Sequence, residues 1–283
     1  MLTAISVWIS VLQKPDDKLH IIACDVGQGD AILITYQNTQ ILTDGGPNKK
    51  VLECLSKYIP FYDREIELVI LTHPDADHST GLIDVTKRYN IDTLLTNPID
   101  PGTETYRVLA NSVGSRGIEV LTPYEGMSMR LGLIYLDIYN PNSNMVMNLK
   151  DKISENKMVM YEPIEDTNSY SIVYRLSFKN FTGLFTGDIG PDESSRLASE
   201  NKIGEVDYIK IPHHGSRNGM TQDLLKTLMP KVAVISVGEK NRYGHPSPEV
   251  IDILNSYKVR VLRTDEMGDV EISTDGESIF MNP

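Results

Sequence analysis

The feature that most narrows what this chain can become is the run Leu71-Thr72-His73-Pro74-Asp75-Ala76-Asp77-His78-Ser79-Thr80-Gly81. Four candidate metal ligands, His73, Asp75, Asp77 and His78, fall within six positions. The residues before it, Leu68-Val69-Ile70-Leu71, are apolar and partly β-branched, which predicts a buried strand. The residues after it predict a helix start with Ser79 as its cap. In a strand-to-helix loop the alternating side chains at 73, 75 and 77 can converge on one point, with His78 entering from the turn. Imidazole and carboxylate without a nearby cysteine suit a borderline or hard divalent ion rather than a structural zinc knot.

The other histidines follow the same habit. There are six in all, and His20 lies in the first predicted strand, where it reads as structural. His73, His78, His213, His214 and His245 all sit in loops that follow strands. Loops gathered at one edge of a sheet sandwich make a single site. Asp188 ends a strand in Thr186-Gly187-Asp188. Such a pair is common in turns, but in this company Asp188 becomes a candidate to bridge two ions.

Strands are predicted over 19–26 and 31–36, joined in a hairpin by Gly27-Gln28-Gly29-Asp30. Further strands follow over 40–43, 67–72, 93–95, 118–121, 133–139, 169–176, 181–185, 206–211 and 232–237. Helices are predicted over 51–59, 80–89, 104–113, 191–200, 221–228 and 247–256. Antiparallel-looking strands with helices in both halves imply two packed sheets with helices outside, an α/β class. The polar residues 140–167 read as a mobile surface excursion, and the methionines at 145, 147, 158 and 160 as local packing. Cys24 and Cys54 lack zinc spacing and are expected to be buried free thiols.

Residues 1–18 form an apolar segment and linker ahead of a domain over 19–283. Leu2 to Leu12 is too short to cross a bilayer and lacks a basic leader or cleavage site. It reads either as the end of a longer membrane helix or as an ordered terminal strand or helix. The first is favoured, because Lys14-Pro15-Asp16-Asp17-Lys18 then forms a linker. That placement is membrane-anchored or extracytoplasmic; the other leaves a cytoplasmic chain. The net charge of −12 and pI near 5.0 oppose non-specific attraction to nucleic acid or anionic lipid. They do not oppose a site that collects divalent cations.

With Pro212-His213-His214-Gly215-Ser216 added to the first loop and to Thr186-Gly187-Asp188, the chain resembles the metallo-β-lactamase fold. Asp25-Val26-Gly27-Gln28-Gly29-Asp30-Ala31 and Asn241-Arg242-Tyr243-Gly244-His245-Pro246 narrow the likeness. Together they resemble the metallo-β-lactamase-like domain of the ComEC competence proteins, from about residue 19 to the end. The resemblance implies an αββα sandwich with a two-metal site. One ion would take His73, Asp75 and Asp188, and the other Asp77, His78, Asp188 and His214, with His214 preferred to His213. Two departures from the wider superfamily stand out. Asp75 replaces a common histidine, and no histidine lies between His78 and His213. Asn168 or a water would fill that place. More oxygen and less imidazole favours manganese or magnesium over zinc at the first ion; a one-metal form stays open.

The implied chemistry is hydrolysis of a phosphate ester by a water acidified between the ions, Asp77 and the histidines framing it. Asp44 would support the ligand loop. The amides of Gly215 and Ser216, with Arg217, would hold phosphate. His245, with His213 beside the site, would protonate a leaving group or contact phosphate. The leading expectation is a phosphodiesterase or nuclease acting on single-stranded DNA during uptake or on extracellular DNA. The alternatives are a small-molecule esterase of the phosphorylcholine type, or a non-catalytic metal-bound module serving a membrane channel on another chain.

Overall fold

The computed structural model describes residues 15–150, 158, 164 and 166–281, with the side chains of 148–150 excepted. The expectations for Leu2–Leu12 and for most of 151–165, Met160 among them, lie outside the described residues. No described helix is long and apolar enough to cross a membrane.

The strands are β1 Leu19–Ala23, β2 Ile32–Tyr36, β3 Thr39–Thr43, β4 Glu65–Leu71, β5 Asn90–Thr96, β6 Glu119–Leu121, β7 Ser128–Leu131, β8 Ile134–Asn140, β9 Val173–Phe178, β10 Phe181–Phe185, β11 Tyr208–Lys210, β12 Val232–Ile235, β13 Arg260–Arg263, β14 Val270–Thr274 and β15 Ile279–Met281. They form an eight-stranded sheet in the order β15-β14-β1-β2-β3-β4-β5-β6 and a seven-stranded sheet in the order β13-β12-β11-β10-β9-β8-β7. Both are mixed. The first is antiparallel from β15 to β3 and parallel from β3 to β6. The second is antiparallel from β7 to β10 and parallel from β10 to β13.

Period-two alternation sorts each strand's side chains between two cores. Ile21, Ile34, Ile41, Leu68 and Ile70 point between the sheets, where they meet Leu136, Tyr174, Leu176, Phe178, Phe185 and Tyr208 of the second sheet. Their neighbours Ile22, Leu33, Leu42, Val69 and Leu71 point outward. They pack under helices α1 Lys50–Tyr58, α3 Leu82–Arg88 and α4 Glu104–Arg116, the short α2 Ala76–Ser79 lying between β4 and α3 in the chain. Strands covered on both faces must be apolar almost throughout, which is why Leu68-Val69-Ile70-Leu71 reads as a continuous run. A further helix, α5 Ser143–Lys150, precedes β9. The outer face of the second sheet is covered by α6 Pro191–Glu200, α7 Gln222–Leu228 and α8 Pro248–Ser256, with a last short turn α9 Thr264–Met267. The layers are helix, sheet, sheet, helix, as the sequence implied.

Four local expectations change. Cys24 and Cys54 are not free: they form a disulfide with Cα atoms 5.8 Å apart. It ties the chain just after β1 to α1, and the 30 positions between the cysteines hid the pairing from sequence spacing. Ser79 is not a cap: it ends α2, whose N-cap is Asp75, and α3 opens at Leu82 with Gly81 at its N-cap; Ser79 Oγ donates instead to the Pro74 carbonyl at 3.0 Å. Strand 169–176 begins later, since Asn168–Tyr170 forms a short helical turn. Part of the 140–167 excursion is helix α5, and Met158 is fully buried under α4.

Candidate metal centre

The loops after β1, β3, β4, β10, β11 and β12 meet at one end of the sandwich. The strand ends are buried, so polar groups there need partners. The loop after β4 delivers His73, Asp75, Asp77 and His78, and its position is set by Asp44. This residue leaves β3 in a left-handed conformation (φ 60°) and is fully buried. Asp44 Oδ1 accepts from the Thr72 amide at 2.8 Å, and its Oδ2 accepts from Thr72 Oγ1 at 2.8 Å. The same Oδ2 lies 2.8 Å from His78 Nδ1. Asp44 thus holds the ligand loop. Behind it, α3 packs so tightly that a Cβ on Gly81 would stand 1.9 Å from the Gly45 carbonyl oxygen.

Each buried imidazole is fixed through one nitrogen and presents the other. His78 uses Nδ1 for Asp44, and His214 uses Nδ1 for the Ser236 carbonyl at 2.9 Å. Their Nε2 atoms are buried with no hydrogen-bond partner. Both face Asp188 Oδ2, at 3.4 Å from His78 and 3.2 Å from His214. His214 Nε2 also lies 3.4 Å from Asp77 Oδ2. His73, His78 and Asp188 group tightly enough to hold a cation, as do Asp77, His78 and His214. Unpartnered imidazole nitrogens locked toward carboxylates are the donor set a divalent ion requires. The residues therefore fit the metal.

Not every expected ligand joins. Asp75 is turned to the rim: its Oδ1 accepts from Thr167 Oγ1 at 2.6 Å, while Oδ2 stays 3.9 Å from His73 Nε2. The tight group around His73 is His73, His78 and Asp188, with Asp75 at its edge. Asn168 follows Thr167, and its Oδ1 is buried without a partner. His213 stands outside the grouped side chains. It and His214 are both left-handed (φ 52° and 54°), and this turn aims His214 alone at Asp77 and Asp188. The Ser216 amide donates to the His213 carbonyl at 2.8 Å, so the turn itself consumes it and it is not free for phosphate. Gly215 packs on Pro246, where a Cβ would approach within 2.6 Å. Arg217 is exposed just beyond. His245 stacks edge-on to His213, ring centroids 5.9 Å apart, with its Nδ1 buried and unpartnered.

Two residues at the centre carried no assigned role in the sequence reading. Lys210, the last residue of β11, is 1% exposed, and its Nζ pairs with Asp30, itself buried. The ammonium also reaches Asp188 Oδ1 at 3.3 Å and the Gly187 carbonyl at 3.2 Å. One oxygen of Asp188 is therefore taken by Lys210, and the other faces the imidazoles. Asp30 reaches this place because the chain after β1 arches over the Asp77 backbone. The Asp30 amide donates to the Asp77 carbonyl at 3.2 Å. The available signals were a lone lysine in the apolar run Val206 to Ile211 and an aspartate closing a glycine-rich turn.

The charges are strongly coupled. Burial pushes the Asp188 carboxyl up, but His214, His78 and Lys210 outweigh it and hold it well below the usual range. Burial likewise opposes the charge on Lys210, and Asp30 and Asp188 raise it above its ordinary value. His78 and His214 are disfavoured as cations by burial, yet the carboxylates beside each raise both well above 6.5. His73, with burial and the His78 charge against it, falls to about 3.

These features define a class. Residues 24–239 match the model of the metallo-beta-lactamase superfamily, and the chain belongs to that superfamily. Together with the site this makes it a metal-dependent hydrolase of that fold. Its relatives are competence proteins of the ComEC kind. It is 23% identical over 271 residues to ComE operon protein 3 of Bacillus subtilis, covering 87% of this chain and 32% of that protein. It is 27% identical over 253 residues to Recombination protein 2 of Haemophilus influenzae, covering 88% of this chain and 28% of that one. The chain thus spans about a third of the length of these relatives. The fold matches the metallo-beta-lactamase fold protein YhfI of Bacillus subtilis with a TM-score of 0.54 at 10% identity, covering 93% of this chain and 100% of that one.

Proposed function

We propose that this chain is a two-metal phosphodiesterase that cleaves single-stranded DNA. The observation that carries the reading is the pair of unpartnered Nε2 atoms, on His78 and His214, aimed at one oxygen of Asp188. His73, His78 and Asp188 would hold one cation and Asp77, His78 or His214, and Asp188 the other, with Asp75 free to move in from the rim. Manganese or zinc suits this mix of oxygen and nitrogen donors. Such ions, when bound, acidify water and neutralise phosphoryl oxygens.

The protein's own share is positional. Asp44 and the Ser236 carbonyl fix the imidazole orientations, so no rotamer search accompanies binding. Lys210 holds one Asp188 oxygen and leaves the other for the ions. Burial first, and then the charges on His214 and His213, hold His245 below its ordinary imidazole value while no ion is bound. In its protonated form His245 is the acid for the leaving oxygen. Arg217 meets the non-reacting phosphoryl oxygens. DNA as the substrate is supported by the relative named Recombination protein 2 and by the likeness to competence proteins.

The test is hydrolysis of labelled single-stranded DNA and of bis-nitrophenyl phosphate with manganese, with zinc, and with chelator. The expected result is metal-dependent cleavage of both. Turnover of the small diester alone moves the substrate to small phosphoesters. A metal-loaded protein that turns over neither is a non-catalytic module.

A further inference from the structure

A ladder of rings leaves the metal centre and ends in water. His214 meets His213 edge-on, with centroids 6.3 Å apart and planes at 83°. His213 meets His245 in the same way at 5.9 Å and 83°. His245 then stacks with Tyr243 at 5.7 Å and 24°. Tyr243 is 71% exposed, more than any other large apolar side chain among the described residues.

The outer rung is held in place. The side chain of Asn241 makes four hydrogen bonds inside its own loop. Its Oδ1 accepts from the amides of Tyr243 at 3.2 Å and His245 at 3.0 Å. Its Nδ2 donates to the carbonyls of Gly238 at 3.0 Å and His245 at 2.7 Å. The loop is pinned to the metal-binding turn, because the Ser247 amide donates to the Gly215 carbonyl at 2.9 Å. An asparagine committed in this way fixes a backbone, and the ring it presents is fixed with it. Burying Tyr243 would have gained apolar contact, yet the loop displays it.

The charge around the ladder departs from that of the chain. Residues 213–218 and 239–246 carry Arg217, Lys240 and Arg242 against one acid, Glu239, in a chain of net charge −12. A flat exposed ring in a loop that carries Lys240 and Arg242, next to a site that would act on a phosphodiester, matches the surfaces that hold unpaired bases. Every base offers a π-face, so stacking tolerates any sequence, while cations follow the backbone. In a duplex those faces are already covered.

We propose that Tyr243, backed by His245, is the stacking platform for the nucleobase adjacent to the phosphodiester at the metal centre, which makes single-stranded nucleic acid the class of ligand taken there. This rests on the phosphodiesterase reading for the position of the phosphate.

Binding tests it independently of turnover. A fluorescein-labelled oligothymidylate with phosphorothioate linkages is titrated with manganese-loaded protein and followed by anisotropy, alongside the same chain with abasic sugars. Tyr243→Ala is expected to weaken binding of the base-bearing chain about tenfold, which is about 1.4 kcal/mol. Tyr243→Phe and Tyr243→Trp keep wild-type affinity within about twofold, since the ring and not the hydroxyl makes the stack. On the abasic chain the penalty of Tyr243→Ala disappears. Equal affinity of wild type and Tyr243→Ala, an equal penalty on the abasic chain, or no binding by wild type overturns the proposal. The expected binding pattern with no hydrolysis of the unmodified oligonucleotide upholds the platform and removes the phosphodiesterase reading.

Discussion

Replacing Lys210 by methionine isolates the feature that holds the centre together without metal. Methionine matches the stem in volume and removes the charge. In the wild type the Lys210 ammonium is the closest partner of the Asp30 carboxylate, and both side chains are buried, at 1% and 2% exposure. Its remaining neighbours are His214 Nδ1 at 3.5 Å, which serves the Ser236 carbonyl, and His78 Nδ1 at 3.8 Å, which serves Asp44. Lys210→Met therefore breaks the closest buried pair and leaves Asp30 with two imidazoles already committed elsewhere, which costs about 3–5 kcal/mol. For a domain of this size each kcal/mol moves the melting temperature by about 2 °C, so a fall of about 6–10 °C is expected. The measurement is thermal unfolding in chelator, so that metal affinity does not enter. The double variant Asp30→Asn with Lys210→Met removes both charges and should recover much of the loss, which a double-mutant cycle reads as coupling. A single variant that melts within about 2 °C of wild type, or a double variant no better than the sum of the singles, refutes the claim that this ion pair organises the site.

Three other outcomes follow from the same structure. Replacing Cys24 and Cys54 by serine opens a loop with a sequence separation of 30, for which chain entropy gives about 3–4 kcal/mol and a fall of about 6–8 °C; a loss under about 1 kcal/mol would mean that α1 is held by packing alone. His20 is raised above the ordinary imidazole value, first by its hydrogen bond to Glu271 and then by Asp16. Its contribution is therefore complete below about pH 6.5 and lost as pH rises through the raised value, so His20→Gln should cost more stability at about pH 5.5 than at about pH 9. The opposite trend in paired melts would contradict that sign. His245→Ala should lower turnover by about 10²–10³-fold with metal content, read by elemental analysis, little changed; equal loss of both makes His245 a ligand.

What could be read in the sequence was whatever is local. Apolar runs marked strands buried on both faces, and the spacing of Leu52, Leu55 and Tyr58 marked α1. The histidine loop betrayed itself because four ligand-type residues crowd six positions. What the sequence did not show was which of the distant groups meet. Asp30 and Lys210 meet only because β1 and β11 lie in different sheets whose ends close on one another. The disulfide depends on how α1 lies across the end of β1, which no periodicity encodes. Asp75 occupies a ligand-like position in the sequence, but its hydrogen bond from Thr167, 92 positions away, could not be read there.

The electrostatics explain why such a centre must exist for cations. Asp30, Asp44, Asp77 and Asp188 bring four carboxyl groups to the imidazoles, and Lys210 is the one ammonium among them. With no ion bound, the carboxylates favour protonation of His78 and His214 against the opposition of burial. A metal ligand must be deprotonated, so cations and protons compete for these two imidazoles. Divalent cations bound here would reverse this local excess of negative charge. On the phosphodiesterase proposal, the local field would then favour an anion despite the −12 carried by the whole chain.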